Sequence, residues 1–160
     1  MGALIESCRA TRRLVLLVVC IAAIAACADS GGNAGDRRVS VSDAFALATV
    51  TGQPNGAVYF TIVSTEADTL ERIEVPDSIA GSAQIHETVI AANGEASMRE
   101  MKSGVPLDPG TAVTFTPGGS HVMLVDLVAP LTVGQQFDIT LDFAKAASVT
   151  LPVAVVESAP

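Results

Sequence analysis

The nitrogen and sulfur donors of this 160-residue chain are concentrated in one stretch. His86, Met98, Met101, His121 and Met123 all fall between positions 86 and 123, and apart from the initiator the chain has no other histidine or methionine. Imidazole binds several transition metals, whereas thioether sulfur selects Cu(I). His121 and Met123 are two positions apart in an apolar, β-prone run, so on a strand they share one face. Met98 and Met101 are three apart. In an extended segment they face opposite sides, and only one of them can join His121 and Met123. His86 has to come from another strand. The converging set is two imidazoles and two thioethers with no thiolate. A blue-copper electron-transfer centre needs a cysteine, so the chemistry indicated is holding and releasing Cu(I). Taken singly, a strand methionine is more often core filler and a histidine in an apolar segment is more often a hydrogen-bonded polar residue. The clustering is what favours a metal site.

Bringing such a set together takes strands from different parts of the chain. Short runs of β-branched residues with period-two alternation recur between turn signals. They are Val39–Ser42, Ala57–Val63 after Gln53-Pro54-Asn55-Gly56, Thr69–Val75, Ala83–Ile90 before Asn93-Gly94, Ala112–Phe115 before Pro117-Gly118-Gly119, His121–Leu127, Phe137–Phe143 and Ser148–Val156. The cleanest alternation is Phe137–Phe143, with Phe137, Ile139, Leu141 and Phe143 facing in. Ser42–Ala48 reads as strand or irregular, helical periodicity is weak throughout, and there are no internal repeats. About eight strands with turns every 8–15 residues or so predict an all-β Greek-key sandwich or barrel.

The beginning of the chain is of another kind. Arg9, Arg12 and Arg13 precede an uncharged apolar run, Leu14–Ile24, which ends in Ile24-Ala25-Ala26-Cys27. This is the n-region, h-region and small-residue cleavage pattern of a secretory signal, and the run falls short of the ~20 apolar residues of a membrane span. Its end resembles a bacterial lipobox, in which the cysteine, here Cys27, becomes the lipidated first residue of the mature chain. The expected organisation is a lipoprotein signal at 1–27, a flexible Ser/Gly/Asn/Asp-rich tether at 28–38, a domain at 39–156 and a short tail at 157–160. The domain, roughly 120 residues, is large enough for a real core. Cys8 and Cys20 leave with the signal and Cys27 carries lipid, so neither a disulfide framework nor a cysteine metal site is available to the folded part. The signal removes three of nine basic and one of seventeen acidic residues, leaving six against sixteen and a net charge near −10. Such a domain repels nucleic acid and anionic lipid surfaces and is at ease with cations or basic partners.

Several stretches together resemble the PCuAC family of periplasmic copper chaperones. They are Pro54-Asn55-Gly56-Ala57-Val58-Tyr59-Phe60, Ile85-His86-Glu87-Thr88, Met98-Arg99-Glu100 and Pro117-Gly118-Gly119-Ser120-His121-Val122-Met123-Leu124. Leu141-Asp142-Phe143 followed by Val149-Thr150-Leu151-Pro152-Val153 fits as well, so the likeness runs from about residue 39 to 156. It implies a cupredoxin-like β-sandwich that binds one copper, mainly as Cu(I), with His86, Met98, His121 and Met123 as ligands. It also implies delivery outside the cytoplasm to a copper-accepting membrane protein, such as a cytochrome oxidase subunit or its assembly factor. The chain departs from the family in detail. Eleven residues separate His86 from Met98 and twenty-two separate Met98 from His121, one more in each interval than in the family pattern. Ala96-Ser97-Met98 stands where the family often has Met-x-Met, and Phe45 where it often has Trp.

Two other readings compete with a copper-binding module. One is a structural or adhesive β-sandwich lipoprotein in which the histidines and methionines are incidental. The other is an enzyme, which the sequence argues against: it has no Ser/His/Asp order with a glycine elbow, no cysteine nucleophile and no phosphate loop. Glu87 is no base for His86, because neighbours on a strand point to opposite faces.

Overall fold

The alternation that is clearest in the sequence is realised in full. In the computed structural model, which describes residues 38–160, Phe137, Ile139, Leu141 and Phe143 are all buried while Asp138 is exposed. The expected signal, the lipobox with Cys27 and the tether up to residue 37 lie outside the described residues.

Among the described residues the secondary structure is ten strands and no helix. They are β1 (Val39–Leu47), β2 (Gly56–Ser64), β3 (Asp68–Glu74), β4 (Ala80–Ile90), β5 (Ala96–Glu100), β6 (Val105–Leu107), β7 (Ala112–Thr114), β8 (His121–Leu127), β9 (Gln136–Phe143) and β10 (Val149–Val156). β5 and β6 were not among the runs marked by alternation. β5 is exposed at all five positions, so burial imposes no period on it, and β6 is three residues long with Pro106 turned outward.

The strands are hydrogen-bonded in the order β5-β4-β8-β2-β1-β10-β9-β3-β6, with β7 on β2 as well. This path closes into the two layers of a cupredoxin-like β-sandwich, and β1 joins them. β1 runs antiparallel to β2 and parallel to β10. Its register shifts between Ser42 and Phe45, where Asp43 takes a φ of 56°. A bulge of this kind bends a strand and increases its twist, which lets one strand serve both layers. The Ser42–Ala48 stretch is therefore strand as far as Leu47, with an irregularity at Asp43. Strands adjacent in sequence are not adjacent in the sheet: β3 and β4 lie far apart in the order, and β8 is inserted between β4 and β2. This is the Greek-key feature that carries the site, because it sets His121 beside His86.

One core lies between the layers. It is built from Val58, Phe60 and Ile62 of β2, Ile85 of β4, Val122 and Leu124 of β8, and their counterparts Leu70, Ile139, Leu141 and Val153. Phe60 and Phe115 pack with ring centroids 4.5 Å apart. Each such large apolar side chain, fully buried, contributes about 1.5–3 kcal/mol. A buried carboxylate pins the far layer. Asp68 accepts from the backbone N–H groups of Thr69 at 2.7 Å, Lys145 at 3.0 Å and Ala146 at 2.9 Å. Burial pushes this carboxyl up, but the three N–H donors and the Lys145 charge outweigh it and hold it below the ordinary value.

Candidate metal centre

Pairing across β4, β5, β8 and β2 brings the donors to one face. β4 and β8 are antiparallel, with His86 opposite His121 and Gln84 opposite Met123. β4 and β5 are antiparallel too, with Thr88 opposite Met98 and His86 opposite Glu100. On the other side of β8, Met123 stands opposite Ala57 of β2. Directly paired residues point to the same side of a sheet, so His86, Met98, His121 and Met123 share a face. The alternate residues Ile85, Val122 and Leu124 are core. The donor set therefore occupies the face turned away from the core.

The same parity separates the two methionines of the β5 region. Met98 is on the histidine face and 59% exposed. Met101 lies just past the end of β5, donates its N–H to the carbonyl of Ile85 at 2.8 Å and packs against the core. Glu87 pairs instead with Arg99, its register partner, on the face opposite His86.

Met98, His121 and Met123 open onto a groove of about 500 Å³, with Thr88 and Tyr59 also in its wall; His86 is not part of that wall. The two imidazole centroids are 5.9 Å apart with planes inclined by 30°. His121 is buried, and its Nδ1 lies 3.1 Å from the carbonyl oxygen of Gly119. That carbonyl belongs to the turn before β8, where Gly118 takes a φ of +80°, a conformation glycine adopts at no steric cost. Thr88 donates to the same oxygen at 3.2 Å. His86 Nε2 lies 3.0 Å from Gln84 Oε1, and His86 Nδ1 is buried with no hydrogen-bond partner. Burial lowers the His86 pKa from 6.5, the nearby His121 lowers it further, and Glu100 opposes them. Burial and the neighbouring imidazole thus both favour the neutral ring, whose unpartnered Nδ1 is available to a cation.

Among the described residues no group of three or more His, Cys, Asp or Glu side chains is placed to hold a metal ion. The donor set available is two imidazoles and two thioethers, all neutral, which is soft chemistry suited to Cu(I). Gln84 and the Gly119 carbonyl were not singled out from sequence. Gln84 had a signal, since it precedes His86 by two positions on a strand and must share its face. The carbonyl had none, because every residue has one.

Residues 39–155 match the profile of the LpqE-like lipoprotein family. The chain belongs to that family. A relative of this LpqE-like chain, "Putative lipoprotein Lxx21020" of Leifsonia xyli subsp. xyli, is 37% identical over 142 residues, covering 89% of this chain and 82% of the relative. Among solved structures, a copper-bound PCuAC domain from PmoF2 is similar at a TM-score of 0.61 and 30% identity, with 77% of this chain and 96% of that domain covered. Apo-DR1885 from Deinococcus radiodurans is similar at a TM-score of 0.58 and 26% identity, covering 84% and 90%.

Proposed function

We propose that this LpqE-like protein is an extracytoplasmic copper carrier. It binds one ion, mainly as Cu(I), through His86, Met98, His121 and Met123 and hands it to a copper-accepting membrane protein such as a cytochrome oxidase subunit or its assembly factor. The observation that carries the reading is the convergence of the chain's only imidazoles and two of its thioethers, from three strands, on one face of the sheet. The similarity to PCuAC domains, one of them copper-bound, supports it. In this reading the protein is a binding module and not an enzyme.

The exposure gradient suggests the order of exchange. His121 is 8% exposed, whereas Met98 is 59% exposed on an edge strand held only by β4. Met98 is the ligand most open to replacement by a donor from the recipient, and the two imidazoles are the last to let go. All four ligands are neutral, so the ion leaves without any proton having to move. Lipid on Cys27 would keep delivery beside membrane-bound recipients, and the acidic domain would favour a basic docking face.

The test is a competitive Cu(I) titration of residues 28–160, beside a His86→Ala/Met98→Leu/His121→Ala/Met123→Leu variant checked for folding. One tight equivalent in the parent, lost in the variant, is the expected result. Equal binding by both would remove these residues as the site. No binding by either would leave a β-sandwich lipoprotein with a structural or adhesive role.

A further inference from the structure

The two site imidazoles are held through different ring nitrogens. His121 presents Nδ1 to the backbone carbonyl of Gly119, and His86 presents Nε2 to the side-chain carbonyl of Gln84. A carbonyl oxygen only accepts, so each contact requires the hydrogen to be on that nitrogen. In a neutral ring the other nitrogen then carries the lone pair. For His86 this is Nδ1, the buried side-chain atom without a partner. Buried polar atoms are almost always paired, and an orphaned acceptor within a cluster of metal donors marks the position a cation fills.

We propose that Gln84 is a positioning residue of the metal site: by accepting the Nε2 hydrogen it commits His86 to bind Cu(I) through Nδ1, while His121 binds through Nε2. This rests on the copper-carrier reading. Gln84 is well placed for the role. It lies two residues before His86 on β4 and directly opposite Met123 on β8, between one ligand that it orients and another that it neighbours. Ligating histidines commonly give their second N–H to such an acceptor, which fixes tautomer and ring angle. An amide does so without adding the negative charge a carboxylate would bring. Thr88 shares this face of β4, but its hydroxyl contact is to the Gly119 carbonyl and not to the His86 ring. Glu100 faces His86 from β5, but the Nε2 contact is to Gln84.

The test uses the full chain purified in detergent, with Cu(I) alone as the probe, and follows the imidazole nitrogens by long-range proton–nitrogen correlation spectra. In the metal-free parent, His86 Nε2 is expected to be protonated and Nδ1 unprotonated, and Cu(I) is expected to shift Nδ1. Gln84→Leu is expected to mix the His86 tautomers and weaken Cu(I) binding about 10–100-fold, the usual cost of losing an outer-shell partner. Gln84→Glu keeps an acceptor and is expected to restore the tautomer and most of the affinity. A glutamine that only supported packing would change thermal stability and leave the tautomer alone. Copper bound through His86 Nε2, or a Gln84→Leu protein with the parent's tautomer and affinity, overturns the assignment. No Cu(I) binding by the parent overturns the carrier reading and this assignment with it, so the two failures are told apart by the parent alone.

Discussion

Exchanging Met98 and Met101 for leucine, one at a time, separates ligand from core. The swap conserves volume and removes only the sulfur. Met98 is 59% exposed on a strand with no buried residue. Substitution there should change the stability of the metal-free protein by no more than about 0.5 kcal/mol. Met101 packs against the core, where a volume-conserving swap costs up to about 1.5 kcal/mol. The copper effect runs the other way. Loss of an outer-shell partner already weakens a metal site about 10–100-fold, and loss of a ligand should exceed that floor, which corresponds to roughly 1.4–2.7 kcal/mol. Met98→Leu is therefore expected to unfold like the parent and bind Cu(I) at least about tenfold more weakly. Met101→Leu is expected to bind like the parent and unfold slightly earlier. The assays are an anaerobic Cu(I) competition with a chromophoric chelator and denaturant unfolding of the copper-free proteins. Because the two effects oppose each other, a folding defect cannot imitate the metal result. Lost affinity in Met101→Leu with full affinity in Met98→Leu would refute the parity reasoning.

Met123→Leu should likewise keep the fold and weaken Cu(I) binding, as read by the same competition; parent-like affinity would remove Met123 from the ligand set. Asp68→Asn leaves backbone donors without a carboxylate and should cost about 1–3 kcal/mol of stability at pH 7 with Cu(I) affinity unchanged. The Asp68 carboxyl is depressed in the folded state, so its contribution is complete above the unfolded value near 3.8 and is lost as pH falls through the lower folded value. The stability gap between parent and Asp68→Asn, measured by denaturant unfolding from pH 7 to pH 2, should therefore close only below that point. Cys27→Ser should move the full-length protein from the detergent phase to the aqueous phase in a detergent-partition assay on cells making each form, and equal partitioning would count against lipidation at that residue.

Much of this protein is legible in local pattern. The alternation of Phe137–Phe143 names a strand and its buried face, because side chains of a strand point alternately to its two sides, and β8 runs over the same His121–Leu127 that the sequence marks. The clustering of His86, Met98, His121 and Met123 shows a soft donor set before any coordinate is known. The absence of a thiol from residue 28 onward excludes thiolate from that set. The signal and lipobox are expectations read from the sequence alone, since they lie outside the described residues. β5 was not legible as an alternating run, since an edge strand exposed along its whole length carries no burial period.

Other features depend on which strands lie side by side. That Met98 and not Met101 joins the histidines follows from Thr88 pairing with Met98. That His86 meets His121 follows from β8 entering between β4 and β2. The tautomer of each imidazole depends on Gln84 and on the Gly119 carbonyl, and no residue type announces either role. The physical reason is common to all three. Residue type and period-two alternation are local, but register is a collective outcome of pairing and core packing over the whole domain. A slip of one residue would turn His86 into the core and Ile85 out to solvent, so burial of Ile85, Val122 and Leu124 is what holds the donors on the outer face.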